Sequence, residues 1–376
     1  MIRVSVQGVV KRFERIAVVD GASFDLSPGE MTFLLGPSGA GKTTLARIIA
    51  GLEPLDDGEI YFDGRMIHKL PPAERHVGMV FQDDALWPRL TVAENVGYGL
   101  GIRKVPRSEK KERVAESLNA LRIDTLAKKH PDDLSASQRL RVALARAIAD
   151  RPELLILDEP LGRLETRVRD ELRDEIRRVH EESGLTTLVL TNDPREALAL
   201  ADRLAVMDLG RIVQMGTPGD IYNRPADAFV ARFLGPTNLI QGQVEGTGAR
   251  GEIIVRTPFG RLVGQTTSPS ADGVGGLSSG PGALPGGTPV TVSIRPESLA
   301  IGTSVPSGSN RFPATVERLV FLGEVRQVHL RGPNDWPVQV LTLQSLSQNL
   351  REGQSLTLSV PPELVVVLPG KYAVTS

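Results

Sequence analysis

The sequence predicts an α/β fold built on a parallel sheet, followed by a separate all-β domain. Three observations predict it. The stretch Gly36-Pro37-Ser38-Gly39-Ala40-Gly41-Lys42-Thr43 fits the phosphate-loop pattern G-x-x-x-x-G-K-[ST] without departure. Apolar runs such as Met31–Leu35, the Leu-Leu-Ile-Leu of 154–157, and 185–190 read as strands buried on both faces, as a parallel sheet demands. After about residue 235 helical periodicity stops and alternating, strand-like runs take over.

The phosphate loop passes its context test. An apolar strand precedes it, and Lys42 to Ala50 reads as a helix closed by Gly51. Its glycines let the backbone curl around an anion, with loop N–H groups and the helix N-terminus supplying positive charge. Lys42 can then reach the outer phosphates, and the Thr43 hydroxyl can serve Mg²⁺. A chance Gly-rich turn is the competing reading, and the flanking strand and helix count against it.

Length and composition narrow the classes. The chain has 376 residues, enough for about two or three domains. Its formal net charge is -1 and its pI about 6.6, which argues against a nucleic-acid binder. Cysteine is absent, so disulfides, thiolate nucleophiles and zinc–thiolate sites are excluded. No apolar run approaches the roughly 20 residues that span a bilayer, and Met1-Ile2-Arg3-Val4 does not begin a secretory signal.

In chain order, residues 2–30 alternate as short antiparallel strands, with Phe13 in a polar turn between two of them. From the residues alone Phe13 reads as packing, with stacking on an adenine as the functional alternative. Glu59–Phe62 and Val77–Phe81 are further strands, the second ending at Gln82. Residues 91–150 carry helical periodicity, and the mixed charges of Arg103–Arg113 read as a solvated face. Leu134-Ser135-Ala136-Ser137-Gln138-Arg139 precedes a helix from Leu140 to Asp150, which the serines can cap.

Asp158 and Glu159 close the next buried strand, at the end where open α/β sheets bind ligands. Two adjacent acids there are costly without a cation. A phosphate-bound Mg²⁺ accounts for Asp158 and leaves Glu159 to polarise a water. Val168, Leu172, Ile176 and Val179 mark another helix; the following strand ends at Thr191-Asn192-Asp193. Pro194 to Ala201 is a helix with proline in its first turn, and a hairpin follows around 208–210. In the β-domain, Gly251–Arg256, Val290–Ile294, Ala314–Leu322, Val325–Leu330 and Ser355–Val360 read as strands, and residues 267–289 as a flexible Gly/Ser/Pro-rich loop.

Phosphate loop, Gln82, the 134–139 segment, Asp158-Glu159 and Asn192, in that order, resemble the ATP-binding cassette (ABC) ATPases that drive ABC transporters. The resemblance covers the first 235 residues, with a helical subdomain at about 88–150. The remainder, through Gly235-Pro236-Thr237-Asn238-Leu239-Ile240 and Ser293-Ile294-Arg295-Pro296-Glu297, is similar to the OB-like TOBE-type accessory domain of importer ATPases for sugars, polyamines, ferric iron or sulfate. This implies a P-loop NTPase core on residues 1–235 and an accessory domain on 236–376.

The resemblance also implies site roles. ATP would lie on residues 36–44, including Thr44, with Phe13 stacked on the adenine, reversing the packing preference. Thr43, Gln82 and Asp158 would attend Mg²⁺, Glu159 would be the general base, and Asn192 the switch residue. Ser135, Ser137 and Gln138 would complete the ATP site of a partner protomer in a head-to-tail dimer. Residues Asp83–Leu90, including Trp87, would line the groove for a membrane permease subunit, itself served by an external solute-binding protein. The chain would then sit peripherally on the cytoplasmic face of the cell's inner membrane, and no nucleic-acid partner is implied.

Three motifs depart from the family pattern, at four positions. Ala136 and Ser137 replace two glycines of Leu-Ser-Gly-Gly-Gln, Glu165 replaces an aspartate, and Asn192 replaces the switch histidine. They keep a second reading open, a poorly hydrolysing cassette paired with a competent one. A soluble cassette acting on DNA or ribosomes fits the charge and β-domain less well. A kinase or GTPase leaves 134–139 and Asn192 unexplained.

Overall fold

The structure, a computed structural model, describes residues 1–162, 164–248, 251–266, 284–302 and 308–370. The expected flexible loop therefore lies outside the described residues as far as 283. The chain forms two compact units, Met1–Pro218 and Gly219–Ser376.

In the first unit, β1 (Val4–Phe13) and β2 (Ile16–Leu26) form a hairpin, continued by β4 (Asp57–Phe62) and β5 (Arg65–Met66) in the order β2-β1-β4-β5. The second sheet comprises β3 (Met31–Leu35), β6 (Val77–Val80), β7 (Leu154–Asp158), β8 (Thr186–Thr191), β9 (Arg203–Asp208) and β10 (Arg211–Gly216). Its order is β10-β9-β3-β8-β7-β6, parallel except for the β9–β10 hairpin. Every residue of β3, β7 and β8 is buried, as their unbroken apolar and threonine runs require. Helix α1 (Lys42–Ala50) places Leu45, Ile48 and Ile49 in one core with Phe24 and Ile60 of the first sheet and Leu34, Ile156 and Leu188 of the second.

Arg75 braces that core. It is 5% exposed, and its guanidinium donates to the carbonyls of Ile48 (2.7 Å), Ile49 (3.0 Å), His68 (2.9 Å) and Leu70 (2.9 Å). The first two lie in the last turn of α1, whose carbonyls lack helical partners. Arg75→Leu is expected to cost about 3 kcal/mol, because it removes four hydrogen bonds at once and leaves only Ile48 O another donor, the Gly51 N–H. Urea denaturation checks this; a loss below about 1 kcal/mol would contradict the bracing role.

Helices α2 (Val92–Ile102), α3 (Arg107–Ala120) and α4 (Ala136–Ala149) pack on one another within the predicted helical stretch. α3 buries only Ser117 and Leu118, so its charge run does face solvent. α5 (Thr166–Ser183) buries Leu172, Ile176 and Val179, while Val168 is only partly covered. α6 (Pro194–Leu200) begins at the predicted proline, with Asp193 as its cap.

The second unit begins with α7 (Pro218–Asn223), most of which it contains, and α8 (Ala228–Leu234), so it extends N-terminal to the composition change near 235. Arg295 explains the attachment: Nη1 donates to Ala231, Gly235 and Pro236 carbonyls and Nη2 to that of Tyr222. Strands β11 (Asn238–Thr247), β12 (Ile253–Thr257), β13 (Gly260–Thr266), β14 (Pro289–Ile294) and β20 (Val365–Pro369) close a barrel. Strands β15 (Ala300–Ile301), β16 (Asn310–Phe321), β17 (Val325–Arg331), β18 (Pro337–Leu343) and β19 (Ser355–Val360) form a five-stranded sheet. One apolar core joins the two, with Val255, Val292 and Val367 of the barrel and Phe312, Val328 and Leu358 of the sheet. The sequence patterns had missed β11, β13, β15, β18 and β20.

Candidate active site

Sheet register assembles the site. Leu35 of β3 lies beside Thr191 of β8, Leu190 beside Asp158 of β7, and Leu157 beside Val80 of β6. Because these strands are parallel, the residues just past their carboxyl ends emerge along one edge. There the phosphate loop, Gln82, Asp158, Glu159 and Asn192 meet. Backbone bonds fix the heights: Gly36 N–H donates to Thr191 O (3.3 Å) and Glu159 N–H to Leu190 O (2.9 Å).

Ser38, Gly39, Gly41, Lys42, Thr43 and Thr44 line a cavity of about 260 Å³ together with Gln82, Glu159 and Val18. Two loop glycines are required by close approach. A Cβ on Gly36 would lie 2.3 Å from Met207 O, and one on Gly41 2.3 Å from Val18 O. Pro37 accepts at its carbonyl from Ala40 N–H (3.2 Å), tightening the loop.

Lys42 is 5% exposed and donates to the carbonyls of Gly36 (2.8 Å) and Pro37 (3.0 Å), which leaves a third N–H for a ligand. Burial pushes its pKa down against the raising influence of Glu159 and Asp158. Thr43 Oγ1 donates to Asp158 Oδ1 at 3.0 Å. Asp158 is 3% exposed, and burial raises its pKa although the Thr43 hydrogen bond opposes the rise. Both groups are thus charged at a cost that an opposite charge nearby would relieve. An anionic polyphosphate suits the first. A hard divalent cation suits the second, since hydroxyl, carboxylate and amide oxygens are its preferred ligands.

Gln82 Nε2 donates to Glu159 Oε2 at 2.9 Å, and Glu159 Oε1 lies 3.9 Å from Lys42 Nζ. Glu159 holds a left-handed backbone, φ 47°, which is uncommon for a side-chain-bearing residue and typical of functional sites. Asn192 Nδ2 donates to Ser38 Oγ at 3.4 Å. Among the described residues no histidine lines the cavity; His180, for one, sits 3.0 Å from Thr187 Oγ1.

Phe13 ends β1 and is 46% exposed, with Lys11 Nζ 5.3 Å from its ring centroid, so it is not a core packing residue. Ser135, Ser137 and Gln138 are not joined to the cavity lining. They bond to one another instead: Ser135 Oγ accepts from Gln138 N–H (3.3 Å), Gln138 Oε1 accepts from Ser135 N–H (3.0 Å), and Ser135 and Ser137 hydroxyls lie 3.0 Å apart. This capping box starts α4 at Ala136, four residues before the expected Leu140, and leaves the Ala136 and Ser137 N–H groups without intrahelical partners. Glu165 is the exposed N-cap of α5 and makes no side-chain cap bond.

The 83–90 segment is held from two sides. Arg146 of α4 donates to Ala85 O (2.6 Å) and Asp84 O (2.8 Å), where both residues have positive φ. Asn95 of α2 is wholly buried, accepts from Trp87 N–H, and donates to the carbonyls of Trp87, Leu90 and Thr91. Trp87 is 39% exposed and packs on Tyr98 with ring centroids 4.1 Å apart. Sequence reading missed Val18, Asn95 and Arg146. Val18 alone had a signal, its place in the alternating strand after Phe13.

A phosphate loop at the carboxyl edge of a parallel sheet, with adjacent acids facing it, defines a P-loop nucleotide-binding ATPase core. The ABC transporter family matches residues 19–162, and the TOBE domain matches 292–368. The spermidine/putrescine import ATP-binding protein PotA of Thermobifida fusca is 38% identical over 358 residues, covering 94% of this chain and 88% of that protein. The sulfate/thiosulfate import ATP-binding protein CysA 2 of Chromobacterium violaceum is 39% identical over 378 residues, covering 98% and 96%. The dimeric ATP-binding cassette MJ0796, bound to ADP and Pi, superposes with TM-score 0.52 at 28% identity, over 57% of this chain and 98% of that one. The chain belongs to the ABC transporter family, as one of its ATPase subunits.

Proposed function

We propose that the chain binds and hydrolyses ATP at the loop 36–44 to drive solute uptake through membrane permease subunits. The observation that carries this reading is the meeting of Lys42, Thr43, Gln82, Asp158, Glu159 and Asn192 along one sheet edge. Lys42 and the loop N–H groups hold the phosphates, and Phe13 offers its ring to the adenine. Thr43, Asp158 and Gln82 would hold Mg²⁺, which when bound supplies charge neutralisation at the outer phosphates. Glu159 takes the proton of the attacking water, and Asn192 donates to the charge that develops on the γ-phosphate. A second cassette, a further copy of this chain or a different one, presents its 135–138 segment and the free N–H groups of α4 to the same phosphate.

Uptake is supported by relatives named for import of polyamines and of sulfate, and the solute itself is not assigned. The exposed Trp87 in its braced segment suits contact with a permease. No described helix is long and apolar enough to cross a membrane; the peripheral position on the cytoplasmic face belongs to this proposal, and the relatives named as import ATP-binding proteins support it. Residues 236–376 are assigned as the accessory domain, with α7 and α8 leading into it. The poorly hydrolysing alternative is favoured by Asn192, Ala136, Ser137 and Glu165, and disfavoured by the intact Lys42, Asp158 and Glu159.

Calorimetric titration with ATP tests the nucleotide site. Lys42→Ala is expected to weaken ATP binding by about tenfold or more, the worth of one charge-assisted hydrogen bond. Equal affinity in the variant would contradict the assignment.

A further inference from the structure

Asn192 is aimed by its neighbours more than by its own contacts. Its amide reaches Ser38 Oγ at a long 3.4 Å and is exposed. The chain on either side is pinned. Thr191 is buried, and its hydroxyl donates to Glu196 Oε2 at 2.7 Å. Thr191 Oγ1 itself accepts from Asp193 N–H at 3.1 Å. Asp193 accepts from Arg195 N–H (2.9 Å) and lies 3.8 Å from Arg169 Nη1 of α5. Arg169 in turn donates to Leu164 O at 2.7 Å, in the loop that follows Glu159. A hydroxyl has one proton, so giving it to Glu196 fixes which lone pair meets Asp193 N–H. That sets the backbone on both sides of Asn192.

Glu196 is a costly way to hold a threonine. Its Oε1 is buried without a hydrogen-bond partner among the described residues. Burial pushes its pKa up to about 7; Asp193 adds to the rise, while the Thr191 hydroxyl and the Arg169 and Arg173 guanidiniums of α5 oppose it. A half-buried acid with one buried, orphaned oxygen, one short turn from a site residue, is where function and stability part.

We infer that Glu196 is a positioning residue for ATP hydrolysis, which through the Thr191 hydroxyl orients the Asn192 amide toward the γ-phosphate end of the cavity. This rests on the ATPase reading above. The sign follows from the hydrogen bond. The carboxylate accepts from Thr191 more strongly than the neutral acid does. Asn192 therefore becomes better ordered as pH rises through about 7.

The test uses the full chain and two readouts. In nuclear magnetic resonance without nucleotide, the Asn192 side-chain amide, assigned by its loss in Asn192→Ala, is expected to shift with pH about a midpoint near 7. Glu196→Gln should flatten that titration, and Thr191→Val should flatten it from the other end. In steady-state hydrolysis, Glu196→Gln should lower kcat about tenfold with the KM for ATP nearly unchanged. In an Asn192→Ala background the same substitution should change kcat by less than about twofold. A flat wild-type titration, or an equal kcat loss in both backgrounds, overturns the proposal. Absence of hydrolysis in the wild type would overturn the ATPase reading instead, and the amide titration would still decide the positioning role.

Discussion

Glu159→Gln is expected to lower ATP turnover by about 10²- to 10⁴-fold while ATP affinity stays within about threefold, because a positioned general base is worth that much in rate and little in binding. The geometry motivates the separation. Glu159 Oε2 accepts from Gln82 Nε2 at 2.9 Å, and Oε1 stands 3.9 Å from Lys42 Nζ, so the carboxylate faces the cavity without closing the loop around the phosphates. The loop's own shape depends on Lys42 bonding Gly36 and Pro37 carbonyls, which the substitution does not touch. Glutamine keeps the size and loses the basicity. Phosphate release and calorimetric ATP titration measure the two quantities separately. An unchanged rate would remove Glu159 from the base role, and a parallel loss of affinity would make it a binding residue.

Asn192→His is expected to raise turnover by roughly 10- to 30-fold. Losing a whole donor to transition-state charge costs about 10²–10³. Asparagine retains a neutral donor, and a charged donor makes a hydrogen bond roughly twice as strong, so about half of that free energy is there to be regained. The gain should be larger at pH 6 than at pH 8, since an exposed imidazole near its ordinary pKa of about 6.5 carries charge at the lower value. Steady-state hydrolysis at both pH values checks it. No gain at either would mean that position 192 lies off the γ-phosphate.

The two units differed in how much of them the sequence made visible. The phosphate loop is local chemistry, eight consecutive residues whose backbone needs are fixed by the anion, and its strand and helix appeared where expected. The buried strands β3, β7 and β8 were equally visible, because burial on both faces leaves an unbroken apolar or threonine run. The contact between Gln82 and Glu159 was not visible. It depends on β6 lying beside β7, and strand order follows from crossovers that no local pattern encodes. In the second unit β13 pairs in parallel with β20 through Gln265 and Val366, about a hundred residues apart, so the closing strands had no hairpin signal to mark them. β11 runs from Asn238 to Thr247 with glycines at 242 and 246, which broke its alternation. Ser135-Ala136-Ser137-Gln138 showed its caps but not where α4 begins, since the Ser135–Gln138 box recruits residues that lack an apolar face. Glu196 looked like any acid in the first turn of a short helix, where the helix dipole favours it. Only its buried, unpaired oxygen sets it apart.

The most direct test of the account is phosphate release by the purified wild-type chain with Mg²⁺ and ATP, measured against Glu159→Gln under the same conditions. The account predicts a steady release that clearly exceeds the variant's. A wild type that binds ATP yet releases phosphate no faster than Glu159→Gln would contradict it, and would leave the chain as an ATP-binding partner of a competent cassette.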